Sequence, residues 1–140
     1  MVVAMEIGDL PQESIGTAAA LWHEAGLTRP WNDPAHDLRR ALAGPSSTVL
    51  AGTEDAALVA TAMVGHDGHR GWVYYLAVCE TERGRGLGRT MMRACEAWLA
   101  DRGVPKFNIM VRGDNAAARG FYERLGYGLD DVVVLSRRMD

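Results

Sequence analysis

An arginine- and glycine-rich segment, residues 83–90 (RGRGLGRT), lies between a strand-like run and a helix-like run. Glycines at alternate positions let a backbone turn tightly and come close to a ligand. The first turn of the helix that follows carries unpaired N–H groups and partial positive charge, which suit a phosphate. The segment therefore predicts a pyrophosphate cradle formed by Gly84, Gly86 and Gly88 with Arg83, Arg85 and Arg89.

The spacing of these residues separates several kinds of phosphate loop. A P-loop needs Gly-Lys followed by Ser or Thr, and the chain has no Gly-Lys pair. A dinucleotide fingerprint needs G-x-G-x-x-G, whereas the spacing here is G-x-G-x-G. The arrangement that fits is R-x-x-G-x-G at Arg83, Gly86 and Gly88. It resembles the acetyl-CoA loop of the GNAT acetyltransferases, and a plain glycine-rich turn is the alternative.

A second signature follows a strand-like run at residues 106–112. Residues 115–127 read N-x-A-A-x-x-F-Y-x-x-L-G-Y. Asp114 or Asn115 can cap a short helix, and Gly126 can end it in the left-handed conformation. The arrangement is similar to the second GNAT signature, so nearly the whole chain resembles that family. Residues 29–34 (RPWNDP) and 67–71 (DGHRG) further resemble the bacterial YpeA-type subgroup.

The resemblance implies a single-domain GNAT-like α/β fold over residues 1–140. Its sheet is mixed and mostly antiparallel, with a central splayed parallel strand pair and flanking helices. The implied function is transfer of an acetyl group from acetyl-CoA to a primary amine by direct attack in a ternary complex. The implied coenzyme contacts are Leu76, Ala77, Val78, Arg83, Gly84, Arg85, Gly86, Leu87, Gly88, Arg89, Thr90, Asn115, Ala118 and Tyr122.

Catalytic roles are assigned to few side chains. The resemblance makes Tyr122 the general acid toward the coenzyme sulfur, because a phenol is protonated at neutral pH. A half-buried structural tyrosine is the alternative. Asn115 caps the helix, contacts the pantetheine arm, or does both. Some protein-acetylating relatives carry a glutamate where this chain has Met110, so the general base stays open among Glu80, Asp67, His66, His69 and a relaying water.

The acceptor side is expected at Trp31 and at the turn that carries His69. Trp31 lies between the first two predicted helices, in a region that borders the acceptor site in the family. Trp31 covering the core is an equal alternative. The pair His66 and His69 lacks a third ligand, so a polar hairpin turn is favoured and no metal is expected.

Composition limits the remaining choices. The 140 residues suit one globular domain, and a net charge of −3 gives no basic surface for nucleic acid. Cys79 and Cys95 suggest buried free thiols in a reducing cytoplasm. No apolar run is long enough to span a membrane, so no membrane partner is expected. We expect a cytoplasmic monomer or homodimer that acts on a small-molecule or peptide amine. The competing classes are a non-catalytic CoA-binding or sensory module and, more weakly, an RNA-binding protein.

Hydrophobic periodicity places the elements in order. It predicts strands at residues 1–7, 48–52, 57–65, 72–79 and 107–112, and a last strand pair at 127–139. It predicts helices at residues 11–25, 34–43 and 87–100, and a short helix after Asn115. The strand at 72–79, its helix and the strand at 107–112 should form a right-handed βαβ crossover.

Overall fold

The computed structural model describes residues 4–140. The elements are β1 (Glu6–Asp9), α1 (Ile15–Glu24), α2 (Pro34–Ala43), β2 (Ser47–Glu54), β3 (Ala57–His66), β4 (Gly71–Val78), α3 (Leu87–Asp101), β5 (Phe107–Ile109) and α4 (Ala116–Arg124). Short 3₁₀ turns at Gln12–Ser14 and Glu80–Glu82 precede α1 and follow β4. The chain forms two compact units, which divide between Met110 and Val111.

The first unit contains a mixed sheet of five strands in the order β1-β2-β3-β4-β5. Neighbouring strands are antiparallel except β4 and β5, which run parallel. The α/β fold class and its mixed, mostly antiparallel sheet are therefore confirmed. The parallel pair is the predicted one, and within the described residues it forms one edge of the sheet.

Both faces of the sheet are covered, because four successive residues of β3, at positions 59–62, are buried. On one face Thr61 accepts a hydrogen bond from the indole of Trp22 in α1. On the other face a Cβ added at Gly71 would meet the side chain of Leu99 in α3. The sheet thus lies between α1 and α2 on one side and α3 on the other. No helix of the described residues is long and apolar enough to cross a membrane.

The helix boundaries follow local signals. The carboxylate of Asp33 accepts the amide of His36 at 3.1 Å, and Pro34 occupies the first turn, so α2 begins where predicted. Asn115 caps α4 by accepting the amide of Ala118 at 3.0 Å, which decides between the two predicted caps. Gly126 follows α4 with φ of 98°, as predicted.

Some predicted elements differ from the structure. Residues 1–3 of the first predicted strand lie outside the described residues, and β1 covers Glu6–Asp9. The strand predicted at 107–112 ends at Ile109. The last strand pair, at 127–139, is wrong: none of these residues is assigned to a strand. The run at 132–135 has strong β-propensity, but its side chains are exposed, and propensity alone does not make a sheet.

Candidate active site

The predicted cradle forms the turn that leads into α3. Gly84 and Gly86 have φ of 83° and 80°, a backbone conformation that costs free energy for residues with a Cβ. A Cβ at either glycine would meet nothing within 4 Å, so the glycines are required by the backbone rather than by crowding. Gly86 is the residue before α3 and supplies no side-chain cap. The first-turn N–H groups of α3, including that of Gly88, therefore point toward space where an anion can bind.

The arginines and the threonine of the cradle differ in their partners. The Arg83 Nε donates to the carbonyl of Val78 at 3.3 Å, so this side chain lies back along β4. The Thr90 hydroxyl donates to the carbonyl of Gly86 at 3.1 Å, inside the helix. The exposed Arg89 has no ion-pair partner among residues 4–140. Of the three arginines, Arg89 is thus the most available for a phosphate.

Arg85 is neutralised by two carboxylates. Its guanidinium donates to both oxygens of Glu54, at 2.8 and 2.7 Å, and also to Glu82. The hydrogen bonds from Arg85 lower the pKa of Glu54, and those to Glu54 and Glu82 raise the pKa of Arg85. Because Glu54 ends β2, the pair ties the cradle to the sheet. No local pattern indicates this partner, because Glu54 lies 31 residues earlier in the chain.

The cradle adjoins a strand with a partly open edge. β4 pairs with β3 along its length, but its ladder with β5 covers Gly71, Trp72 and Val73 alone. Within residues 4–110 no strand pairs with this edge of β4 beyond Val73. The three predicted coenzyme-contacting residues of β4, Leu76, Ala77 and Val78, lie beyond this last pair, and their strand leads directly into the cradle. An extended ligand can therefore add to this edge as a further strand does.

A β-bulge interrupts β4 at Tyr75 and Leu76, the second of which is one of these three residues. Met63 pairs with Tyr74 and Thr61 with Ala77, so Tyr75 and Leu76 together oppose Ala62. Tyr75 has φ of 53°, which is uncommon for an aromatic residue. Bulges re-aim side chains and concentrate near active sites.

The bulge reverses the side-chain alternation of β4. Gly71 faces Leu99 of α3, and a regular strand would direct Tyr75 to that same face. The ring of Tyr75 instead stacks on Trp22 of α1, with centroids 3.8 Å apart. Tyr74 and Tyr75 consequently line one common pocket. Tyr75 was not among the predicted site residues, and the only signal for it in the sequence is the pair of adjacent tyrosines in a strand.

The turn between β3 and β4 is organised by Asp67. Its Oδ1 accepts the amides of His69 and Arg70 at 2.9 and 2.8 Å, and its Oδ2 accepts the indole of Trp72 at 3.3 Å. These bonds, led by that from Arg70, lower the pKa of Asp67 to about 2. A carboxylate with that pKa is a poor general base at neutral pH, so Asp67 has a structural part in the turn.

The remaining candidates for the acceptor contact and the general base differ in their exposure and contacts. Trp31 is 57% exposed, in the connection between α1 and α2. The His66 ring lies 6.1 Å from that of Trp98 in α3, and His69 and Glu80 are exposed. No group of three or more potential metal ligands occurs among the described residues.

The two cysteines differ in burial. Cys95 is buried within α3, and burial raises the pKa of its thiol to about 12. Cys79 is half-buried and its thiol donates to the carbonyl of Leu58 at 3.4 Å. Burial also raises the pKa of Cys79. Neither thiol is activated as a nucleophile.

The second unit, residues 111–140, holds the remaining predicted site residues. Asn115 and Ala118 form the cap of α4, and Tyr122 follows one turn later. Tyr122 is half-buried, and its ring packs edge-on against Phe121, with centroids 5.0 Å apart. It also lies 6.0 Å from the ring of Tyr127. The edge-on ring of Phe121 and the tilted ring of Tyr127 therefore restrict the orientation of the Tyr122 ring within this unit.

Comparison with known proteins decides the family. The model of the acetyltransferase (GNAT) family matches residues 17–127, which include both signatures. The chain belongs to the GNAT acetyltransferase family. Acetyltransferase YE1169 of Yersinia enterocolitica is 42% identical over 135 residues, covering 96% of each chain. The GNAT resemblance seen in the sequence is thereby confirmed, and the protein is an acetyltransferase.

Solved structures show the same fold. Aminoglycoside N-acetyltransferase AAC(6')-Iy in complex with CoA matches with a TM-score of 0.85 at 13% identity, over 100% of this chain and 98% of that one. A predicted acetyltransferase from Clostridium acetobutylicum with acetyl-CoA gives a TM-score of 0.79 at 15% identity, over 95% and 96%. At these identities the match establishes the GNAT fold of this acetyltransferase. Its substrate has to be inferred from the residues of its own site.

Proposed function

We propose that this protein is an acetyl-CoA-dependent N-acetyltransferase that acts on a primary amine by direct attack in a ternary complex. One observation carries the proposal: two left-handed glycines precede the uncapped start of α3, directly after the open edge of β4. A pyrophosphate and an extended arm need these two features side by side. The structurally similar acetyltransferases in complex with CoA and with acetyl-CoA support this choice of co-substrate.

The coenzyme-binding residues would divide the work by position. Gly84, Gly86 and the first turn of α3 would hold the pyrophosphate, with Arg89 supplying a full charge. The edge at Leu76, Ala77 and Val78 would pair with the pantetheine arm. A backbone N–H near Ala77 or Val78 would donate to the carbonyl oxygen as negative charge develops there. Asn115 and Ala118 would complete the contacts beside their capping role.

The reaction needs two proton movements. The amine nitrogen attacks the thioester carbon, the C–S bond breaks, and the nitrogen loses a proton while the thiolate gains one. Tyr122 would give the proton to the sulfur. Glu80, His66, His69 and a relaying water remain candidates for the base, since Asp67 is engaged in its turn. Trp31 and His69 would contact the acceptor, and placement in the YpeA-type subgroup stays part of this proposal.

The cradle can be tested by coenzyme-dependent stabilisation. A ligand that binds the native state raises the melting temperature by mass action. Gly86→Asp adds a negative charge where the pyrophosphate would lie, so the rise with CoA should vanish. Gly103→Asp is the matched control, because Gly103 also has positive φ, at 72°, with nothing within 4 Å, but follows the far end of α3. Equal shifts in the two folded variants would refute the assignment.

Enzymatic transfer is tested separately from coenzyme binding. A panel of primary amines is incubated with acetyl-CoA, and release of the free coenzyme thiol is followed. Amine-dependent thiol release that Gly86→Asp abolishes is the expected result. Tight CoA binding without turnover on any amine would favour the non-catalytic coenzyme-binding module.

A further inference from the structure

A pocket of about 390 Å³ lies between α2 and the strands β2, β3 and β4 of the first unit. Its lining residues are Asp37, Arg40, Ala41, Ser47, Met63, Tyr74 and Tyr75. This volume suits a small molecule. Tyr75 immediately precedes the β4 residues at which we place the thioester, so the pocket adjoins the proposed reaction centre along the strand. Trp31 and His69 do not line it, so under the proposed function they would contact only a part of the acceptor that extends beyond this pocket.

The pocket is lined by one negative and one positive side chain, which do not form a salt bridge with each other. Asp37 and Arg40 are three residues apart on α2, a spacing at which opposite charges often pair. Among residues 4–140 neither is within salt-bridge distance of a partner. The Asp37 carboxylate accepts a side-chain hydrogen bond from the Tyr75 hydroxyl, at a long 3.3 Å. A carboxylate has about four acceptor positions, so Asp37 can accept further donors.

We propose that this pocket binds the acceptor and selects an aminocarboxylate, that is, an amine carrying a carboxylate as in an amino acid. This inference rests on the proposed function and names the substrate class for the same site. The Asp37 carboxylate would accept an N–H of the amine, and the Arg40 guanidinium would pair with the acceptor carboxylate. Ala41 and Met63 provide an apolar surface for the remainder of the molecule.

The pocket's charge balance favours this class over a polycation. One cationic and one anionic side chain match an acceptor that carries both an amine and a carboxylate. A polyamine or an aminoglycoside would bring its second positive charge toward Arg40, which is repulsive. Removing the charge of Arg40 should therefore weaken the binding of aminocarboxylates and remove the repulsion that disfavours diamines.

A purely structural explanation exists for the same two residues. Asp37 lies in the first turn of α2 and Arg40 in its last turn, where each complements the helix dipole. That role predicts changes in melting temperature but no change in preference among acceptors. Acceptor selectivity is therefore the readout that separates the two explanations.

The experiment uses matched sets of acceptors on the full-length protein. Each set contains an amino acid, its amide and the amine that lacks the carboxyl group, and kcat/KM is measured with acetyl-CoA. The wild type should favour the amino acid. Arg40→Gln should remove this preference, lowering kcat/KM for the amino acid about tenfold or more, as expected for a charge-assisted hydrogen bond. Arg39→Gln, an exposed neighbour outside the pocket, should leave the preference intact.

Charge reversal gives a second test with a gain as its result. Arg40→Glu should turn the preference from amino acids to diamines, and Asp37→Asn should raise KM for every amine. The CoA-dependent rise in melting temperature should persist in all of these variants.

The results separate the two proposals. Failure of the wild type to bind CoA would refute the proposed function itself. Three results with normal CoA binding would overturn the aminocarboxylate inference alone. They are no preference for acceptors with a carboxylate, no turnover of any acceptor in the sets, and the same acceptor preference in Arg40→Gln as in Arg39→Gln.

Discussion

The ring of Tyr75 lies flat on that of Trp22, with centroids 3.8 Å apart and planes 4° from parallel. The Trp22 indole donates to the Thr61 hydroxyl at 2.8 Å, and this hydroxyl donates to the carbonyl of Tyr75 at 3.2 Å. Trp22 thus supports both the side chain and, through Thr61, the backbone of the bulge residue. A non-glycine residue at positive φ persists where its surroundings hold it, as they do here.

Loss of this support should weaken the fold and the reaction together. Trp22 is fully buried, and Trp22→Phe would remove the hydrogen bond to Thr61 and leave unfilled volume. We expect the free energy of unfolding to fall by about 2–4 kcal/mol, measured by urea denaturation. Turnover should fall while CoA affinity is largely kept, because the bulge precedes the reaction centre, whereas the cradle follows the end of β4.

The matched control for this change is Trp31→Phe, since Trp31 is 57% exposed. An exposed substitution away from special features changes stability by about 0.5 kcal/mol or less. If the two variants lost equal stability, buried Trp22 with its stack and hydrogen bond would contribute no more to stability than an exposed tryptophan does.

Local signals made much of the fold predictable from the sequence. The ends of α2 are marked by Asp33 and Pro34 at the start and by Gly44 at the end, and those of α4 by Asn115 and Gly126. Each signal acts within a few residues, because a cap or a left-handed glycine satisfies or redirects nearby backbone groups. The same holds for Gly84 and Gly86, whose positive φ makes the tight turn before α3 predictable from its own residues.

Features that depend on distant partners could not be predicted. The bulge at Tyr75 depends on Trp22 and Thr61, which pack against it from elsewhere in the chain. The ion pair of Arg85 depends on Glu54, so the charge expected to be free for phosphate is already matched. Periodicity within a strand reports neither kind of contact.

The cradle residues Arg85 and Arg89 should respond differently to loss of charge. Arg89→Gln removes a guanidinium that forms no ion pair within residues 4–140, and CoA affinity should fall about tenfold. Arg85→Gln removes one already paired with Glu54 and Glu82, so affinity should fall less, about threefold. Isothermal titration at low and moderate salt measures both. A larger loss with Arg85→Gln would mean that this arginine exchanges its carboxylates for phosphate.

Tyr122→Phe tests the proposed general acid. The change keeps the ring, so the edge-on contact with Phe121 and the affinity for CoA should change little. Turnover should fall about 10²-fold, the lower range for general acid catalysis, because a thiolate is a tolerable leaving group at neutral pH. Single-turnover kinetics show whether chemistry limits the rate. Near-normal single-turnover rates in this variant would leave the hydroxyl with a structural role.

The pH dependence of stability should reveal the charge on Asp67. Its carboxylate accepts the amides of His69 and Arg70, so its pKa in the folded protein is about 2, below its usual 3.8. The native state then binds fewer protons than the unfolded state between these values. The stability that this charge contributes is therefore present above about pH 4 and lost as the pH falls toward 2. Asp67→Asn keeps an oxygen acceptor but no charge, so its melting temperature should lie below that of the wild type near neutral pH, and the gap should close on acidification. A gap independent of pH would show that the turn depends on shape and hydrogen bonds alone.

The pH profile of turnover near neutrality should have the same inflections in both proteins, because Asp67 stays ionised there. An inflection lost in Asp67→Asn would instead return Asp67 to the candidates for the general base.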